Sequence, residues 1–275
     1  MSVNVGEITN IIENLAPLGY AYKWDNVGLQ LGSKKDKVNC ILTTLEITDA
    51  ILDEAIKKDA QMIITHHPMI FTPLKNITKE DIKGKLIYKA IQNNISIYAA
   101  HTNIDAAYGG LNDYIANKLN IRDTNVLEEI DNNICSTEMK KNLNGIGRVG
   151  ELDKPKILKE LIIEIKEQIN IERVKVSGDL NSIIQKVAII NGSGADLIGS
   201  AIQRGCQCII TGDVKYHDAQ DAISQGINVI DIEHYHSEKF FNCFLANYLR
   251  NEISIKGLNV NVIESKIDIN PFQIY

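Results

Sequence analysis

Six histidines are the residues of this chain best suited to chemistry: His66, His67, His101, His217, His234 and His236. All except His217 fall close to the C-terminal end of an expected strand, the edge at which open α/β sheets bind ligands. They form three clusters. Ile63-Ile64-Thr65-His66-His67-Pro68 delivers two adjacent imidazoles from a buried strand into a turn, and Pro68 stops the strand from continuing. Neighbours on a strand point to opposite sides, but at a turn the two rings can splay around neighbouring ions. His101-Thr102-Asn103-Ile104-Asp105 and His234-Tyr235-His236-Ser237-Glu238 each set an imidazole four residues before a carboxylate. If each segment opens a helix, the two groups share a face. Imidazole with carboxylate suits Zn, Mn, Fe or Co better than Ca, and the lack of thiolates argues against a closed structural zinc site. His66, His67, Asp105, His234 and Glu238 are therefore the expected ligands of two divalent ions. Glu238 is the chosen bridge, because a carboxylate can span two ions and an imidazole normally does not. The competing readings are a histidine pair satisfied by loop backbone and ion pairs at helix starts.

Other residues surround this set. His101 is either a further ligand or a proton carrier. His217, in Asp213-Val214-Lys215-Tyr216-His217, either lines the pocket or begins a helix. These two are the candidates for proton transfer. His236 points either into the site or elsewhere. Trp24–Gly32 holds the only tryptophan and forms a pocket wall or a turn with an aromatic plug. Gly192-Ser193-Gly194-Ala195-Asp196 ends a strand and opens a helix, so it could hold a phosphate on backbone N–H groups, although it is not a full dinucleotide or P-loop fingerprint.

Apolar periodicity supplies the elements that must position these residues. Helices are expected over 5–15, 49–58 behind a Thr48 cap, 78–93, 112–119, 155–168 with Pro155 in the first turn, 196–204, 218–225 and 237–250. Strands are expected over 38–47, 61–65, 95–100, 145–152, 186–191, 206–211, 227–232 and 257–263. Asp123, Asp131, Asn132 and Asn133 suggest loops. The alternation favours an α/β protein with mainly parallel or mixed sheets covered by helices and the site at strand C-terminal ends. The length allows one large domain or two lobes, and an internal echo favours two similar lobes with the site between them. The lobes are expected over 1–125, carrying the His-His-Pro and His-x3-Asp motifs, and over 126–275, carrying His-x3-Glu, with the final helix free to pack back on the first lobe. Residues 59–66 also echo 205–212, which suggests internal duplication; any two buried strands could look this similar.

The chain has 275 residues, 44% of them hydrophobic and 23% charged, ample for a core. Its net charge of −6 argues against nucleic acid or an anionic membrane as a general partner. No run reaches the roughly 20 apolar residues of a membrane helix. Residues 1–7 lack a basic start and an apolar core, so a cytoplasmic chain is expected. The five cysteines lack zinc-ribbon or Cys-x-x-Cys spacing, and Cys206 and Cys208 read as small core residues.

Trp24–Gly32, Ile64–Phe71, His101–Gly110, Gly192–Asp196, Thr211–Asp218 and Val229–Glu238 together resemble the Nif-three-like dinuclear-metal-centre family, the GTP cyclohydrolase 1 type 2 homologues. The resemblance covers nearly the whole chain apart from the middle. It implies the same five ligands with Glu238 shared, two α/β lobes and a ring-shaped homohexamer. Longer relatives carry an inserted domain for which 126–185 is too short. Three positions depart from the family pattern: Glu233 where glycine is usual, His236 where a small residue is usual, and Glu46 where aspartate is common. The function this implies is a metal-dependent hydrolase acting on a small molecule, a nucleotide or phosphoester. The alternatives are a non-catalytic regulatory or metallochaperone-like metal binder, or a nucleic-acid-associated factor, which the acidic balance disfavours.

Overall fold

The computed structural model of the chain describes residues 3–130 and 144–274. Asp131, Asn132 and Asn133 lie outside the described residues, while Asp123, expected in a loop, lies in the strand Arg122–Glu129, at φ +51° where its register is irregular. In chain order come α1 (Val5–Leu15), β1 (Gly28–Leu31), β2 (Cys40–Thr44), α2 (Asp49–Lys57), β3 (Met62–Thr65), α3 (Ile82–Gln92), β4 (Ser96–Ala99) and α4 (Thr102–Ala106). There follow α5 (Leu111–Lys118), β5 (Arg122–Glu129), β6 (Gly145–Ile157), α6 (Leu158–Ile169), β7 (Lys175–Ser177) and β8 (Ile183–Ser193). The last elements are α7 (Ile198–Gln203), β9 (Cys208–Gly212), α8 (Tyr216–Ser224), β10 (Asn228–Asp231), α9 (His234–Glu238), α10 (Phe241–Ile255) and β11 (Asn261–Glu264). Two compact units form: Met1–Ile104 with Phe241–Tyr275, and Asp105–Phe240.

The first unit has a five-stranded sheet in the order β1-β4-β3-β2-β11. Every pairing is parallel except that of β1 with β4. β2, β3 and β4 are buried at every position, as strands of a covered parallel sheet must be. The apolar spacing of α2 presses Ile51, Leu52 and Ala55 against Leu42, Ile63 and Ile97, and α3 adds Ile87 and Ala90. Each large side chain so buried contributes roughly 1.5–3 kcal/mol relative to exposure.

The second unit has a six-stranded mixed sheet in the order β5-β6-β8-β9-β10-β7. β8, β9 and β10 are parallel, and β5, β6 and β7 pair antiparallel. Ile189, Ile210 and Ile230 pack with Ile115, Leu161 and Ile165. Cys206 and Cys208 are buried, as small core residues should be.

The α/β alternation, with mixed sheets, is as the sequence predicts. Its details differ where local chemistry overrides periodicity. Pro155 does not start a helix: it lies in β6, whose register against β8 is irregular between Glu151 and Lys156, where a missing N–H does little harm. The helix begins at Leu158. The expected helix over 78–93 starts only at Ile82, because the Asp81 carboxylate accepts the Gly84 N–H at 2.6 Å and caps it. The expected helix over 237–250 is two helices, α9 and α10. β1, β5 and β7 are additional short or polar strands without the apolar runs that mark the others.

The echo between 59–66 and 205–212 extends to hydrogen bonding. Gln61 Oε1 accepts from the Asn39 and Cys40 N–H groups at 3.0 and 3.1 Å, while its amide donates to the Asp59 carbonyl. Gln207 Oε1 accepts from Gln185 and Lys186 at 3.1 and 2.8 Å, while its amide donates to the Gly205 carbonyl. Asp59 and Gly205 both take the left-handed conformation, with φ of 51° and 74°. Each unit thus uses a glutamine just before a parallel strand, β3 or β9, to tie it to its neighbour, β2 or β8. Among the described residues, no helix is long and apolar enough to cross a membrane.

Candidate metal centre

In the first unit, β3 ends at Thr65 and hands His66 and His67 to a turn, while β4 ends at Ala99 two residues before His101. The ligand nitrogens of His66, His67 and His101 lie within 4.8 Å of one another. Two bonds of about 2.1 Å to one ion span roughly 3.4 Å at a tetrahedral angle and at most about 4.2 Å, so a small closure of the rings would suit one ion. Each ring is oriented at Nδ1. His66 Nδ1 donates to the Ala100 carbonyl at 2.8 Å, His67 Nδ1 meets Glu46 Oε1 at 2.8 Å, and His101 Nδ1 meets Asp25 Oδ1 at 2.9 Å. An acceptor on Nδ1 puts the proton there in the neutral ring and leaves the lone pair on Nε2, the nitrogen a metal needs. His66 is fully buried, with its ring 4.9 Å from that of Phe241.

Asp25 has a fully buried side chain. Besides His101 it accepts from the Thr102 N–H at 3.1 Å and from the Thr102 hydroxyl. Burial alone would push its carboxyl up; hydrogen bonding and charge from His101, together with the Thr102 donors, outweigh this and hold it below the ordinary carboxylate value.

In the second unit, α9 sets His234 and Glu238 on one face, with His234 Nε2 3.0 Å from Glu238 Oε2. His234 Nδ1 meets Asp213 Oδ2 at 2.8 Å, the same device as in the first unit. Glu238 is 2% exposed, so its carboxylate is aimed inward rather than at solvent. Gly192 stands against it. A Cβ at this position would fall 2.5 Å from Glu238 Oε1 and 3.3 Å from His234 Cε1, and φ is +63°. The Gly192 N–H donates to Ser237 Oγ at 2.8 Å. The glycine loop therefore serves close packing around Glu238, and its first N–H is occupied by protein rather than offered to a phosphate. Asp105, on α4, is buried. Its carbonyl accepts from Asn112 Nδ2 at 3.1 Å, and Asn112 Oδ1 accepts the Asn191 N–H at 3.0 Å, so one side chain ties α4 to the end of β8 beside Glu238.

The structure thus brings His66, His67 and His101 together in one unit and His234 with Glu238 in the other. His217 is exposed on the first turn of α8, its ring edge-on to Tyr216. His236 Nε2 lies 3.4 Å from Glu233 Oε2. Glu233 sits at φ +66° and ψ 152°, which explains why glycine is the usual residue of the resembled pattern here. Its N–H donates to Asp231 Oδ1 at 2.9 Å. Asp25, Glu46 and Asp213 are histidine partners that spacing did not single out; each is far in sequence from the ring it meets, and only the fold pairs them.

Comparison with known proteins follows this geometry. The pattern of the Duf34/NIF3 (NGG1p interacting factor 3) family matches residues 3–271. A Clostridium acetobutylicum protein named GTP cyclohydrolase 1 type 2 homolog is 39% identical over 273 residues, 99% of each chain. One of the same name from Streptococcus pneumoniae is 30% identical over 270 residues, 97% of each chain. Among solved structures, a Staphylococcus aureus hypothetical protein matches at TM-score 0.92 and 30% identity over 100% of both chains. A Bacillus cereus protein related to NIF3 matches at TM-score 0.91 and 27% identity over 99% of both. With a family pattern matched almost from end to end, the chain belongs to the Duf34/NIF3 family.

Proposed function

We propose that the two donor sets serve one centre holding two divalent metal ions, with His66, His67, Asp105, His234 and Glu238 as ligands and Glu238 shared, and that the centre hydrolyses a small-molecule substrate. The observation that carries this reading is the fixing of four imidazoles at Nδ1, three of them on carboxylates, which is how proteins hold metal-binding histidines. The donor chemistry fits Zn, Mn, Fe or Co. Bound ions of this kind supply Lewis acidity and lower the pKa of water to about 7. The protein then has to orient the substrate and move protons. In this reading His101, held by Asp25, passes a proton at its Nε2, and His217 is the second candidate for that role. The homologues' name suggests GTP as substrate; a phosphoester fits the same chemistry. A cytoplasmic homohexamer belongs to the same reading.

The test is turnover by metal-stripped protein reloaded with Mn, Fe, Co or Zn, screened against GTP and a phosphoester panel. Metal-dependent hydrolysis that Asp105→Ala and Glu238→Ala abolish is the expected result. Turnover that survives those changes overturns the mechanism. Tight metal binding without turnover on any substrate favours the regulatory or metallochaperone-like alternative, which the same ligands would serve.

A further inference from the structure

The imidazoles of the first unit are edged by a wall of aromatic rings that the metal reading does not use. Trp24 is 59% exposed and Phe71 is 49% exposed. Tyr22 stacks on Trp24 with centroids 5.4 Å apart and planes 21° apart. Phe71 meets Trp24 at 5.9 Å and 61°. Both rings also stand edge-on to His101, Trp24 at 6.3 Å and Phe71 at 6.4 Å. Single exposed aromatics need no explanation, but this group is held rigidly. The Tyr22 N–H donates to the Thr102 hydroxyl at 3.1 Å, the Asp25 N–H closes a turn on the Tyr22 carbonyl at 3.0 Å, and the Asp25 carboxylate is buried against His101 and Thr102. On the other side, Asn26 Nδ2 donates to the Ile70 carbonyl, and the Ile70 N–H donates to Gln30 Oε1 at 2.9 Å. The chain on both sides of Trp24 and the residue before Phe71 are thus bolted to one frame, and that frame also orients His101.

We infer that this wall holds a planar heteroaromatic ring of the substrate beside the imidazole cluster. The inference rests on the proposed hydrolytic centre and names the class of substrate it takes. Two exposed rings at a steep angle form a corner, not the flat apolar face that a second protein would cover. A flat ring can stack on one and meet the edge of the other, in the offset and edge-on geometries that aromatic pairs prefer. Rigid mounting lowers the ordering cost of that contact. Stacking of one base on aromatic side chains is worth roughly 1–3 kcal/mol.

Trp24 is the only tryptophan, so its emission reports this corner directly. The full-length protein, metal-loaded and metal-stripped, is titrated with AMP, CMP and ribose 5-phosphate, with metal content measured on the same samples. Saturable quenching by AMP and CMP is expected, in stripped protein as well, while ribose 5-phosphate leaves the emission unchanged. Phe71→Leu should weaken AMP binding about tenfold, near 1.4 kcal/mol, with metal content unchanged as the check on folding. Calorimetry with Trp24→Leu should show a similar loss. Equal quenching by ribose 5-phosphate, no quenching at all, or Phe71→Leu binding AMP as well as the wild type would each overturn the inference. So would a blue-shifted emission that ignores nucleotides and moves red on dilution, the mark of a tryptophan covered by a second copy. Metal binding without ring binding sinks this inference alone; ring binding without metal sinks the hydrolytic reading instead.

Discussion

The two units solve the same positioning problem by different means. Both set parallel strands side by side, four in the first unit and three in the second, and tie one to its neighbour with a glutamine. The first unit then fixes three imidazoles mainly by side-chain hydrogen bonds. Among the described residues, no left-handed backbone occurs at His66, His67 or His101. The second unit orients His234 by the same kind of side-chain contact, from Asp213, and adds strained or special backbone: Asp213 at φ +55°, Glu233 at +66° and Gly192 at +63°. It also has a buried ionic brace. Arg148 Nε meets Asp113 Oδ1 at 2.6 Å, and the guanidinium donates to the carbonyls of Ala107, Gly145 and Gly147 at 2.8 Å. The difference teaches that donors delivered by strand ends need only orientation, whereas donors delivered by a short helix need their loops held. Changes in the first unit should therefore act on metal affinity, and changes in the second on stability as well.

The largest expected effect is on the brace. Arg148→Met leaves Asp113 buried without its partner and should cost about 3–5 kcal/mol in chemical denaturation, beyond anything a single carboxylate of the first unit would cost. A loss under 1 kcal/mol would break the contrast. Next comes orientation of the rings. Glu46→Ala should weaken metal binding roughly 10–100-fold with little change in Tm, and Glu46→Asp should restore it. Asp213→Ala should weaken binding to a similar degree in the other unit. Unchanged metal affinity in both variants would show that the Nδ1 contacts are incidental.

Relief of backbone strain is smaller. Glu233→Gly should stabilise the protein by about 1 kcal/mol, raising Tm by roughly 2–4 °C, since glycine adopts a φ of +66° without a Cβ penalty. A fall in Tm would mean that the Glu233 contact with His236 outweighs the strain. The smallest effect concerns Cys206, whose thiol burial pushes up to about 11. In the unfolded chain a thiol ionises at about 8.5. Between these values the unfolded state binds fewer protons than the folded one, so stability falls as pH rises through that alkaline range. Cys206→Ala should flatten that slope, and an unaltered slope would assign it to other groups.

Much of this was legible in the sequence because period and punctuation agreed with the fold. Buried runs such as Ile63-Ile64 and Ile209-Ile210 announced parallel strands, and Thr48 announced its helix, where its side chain accepts the Ile51 N–H. The histidine clusters were legible for the same reason: they follow strands. What could not be read was pairing over distance. Asp25 with His101 and Glu46 with His67 are side-chain meetings across 76 and 21 residues, which leave no local signal. Pro155 misled because a register irregularity excuses a missing N–H as well as a helix start does. Gly192 misled because close approach to a carboxylate and close approach to a phosphate call for the same residue.

The central claim, that both donor sets serve one pair of ions, is tested most directly by electron paramagnetic resonance of protein loaded with Mn(II). Two equivalents per chain, giving an exchange-coupled signal that Glu238→Ala abolishes, is the expected result. Isolated, uncoupled Mn(II) in the wild type, or a coupled signal that persists in Glu238→Ala, would contradict it.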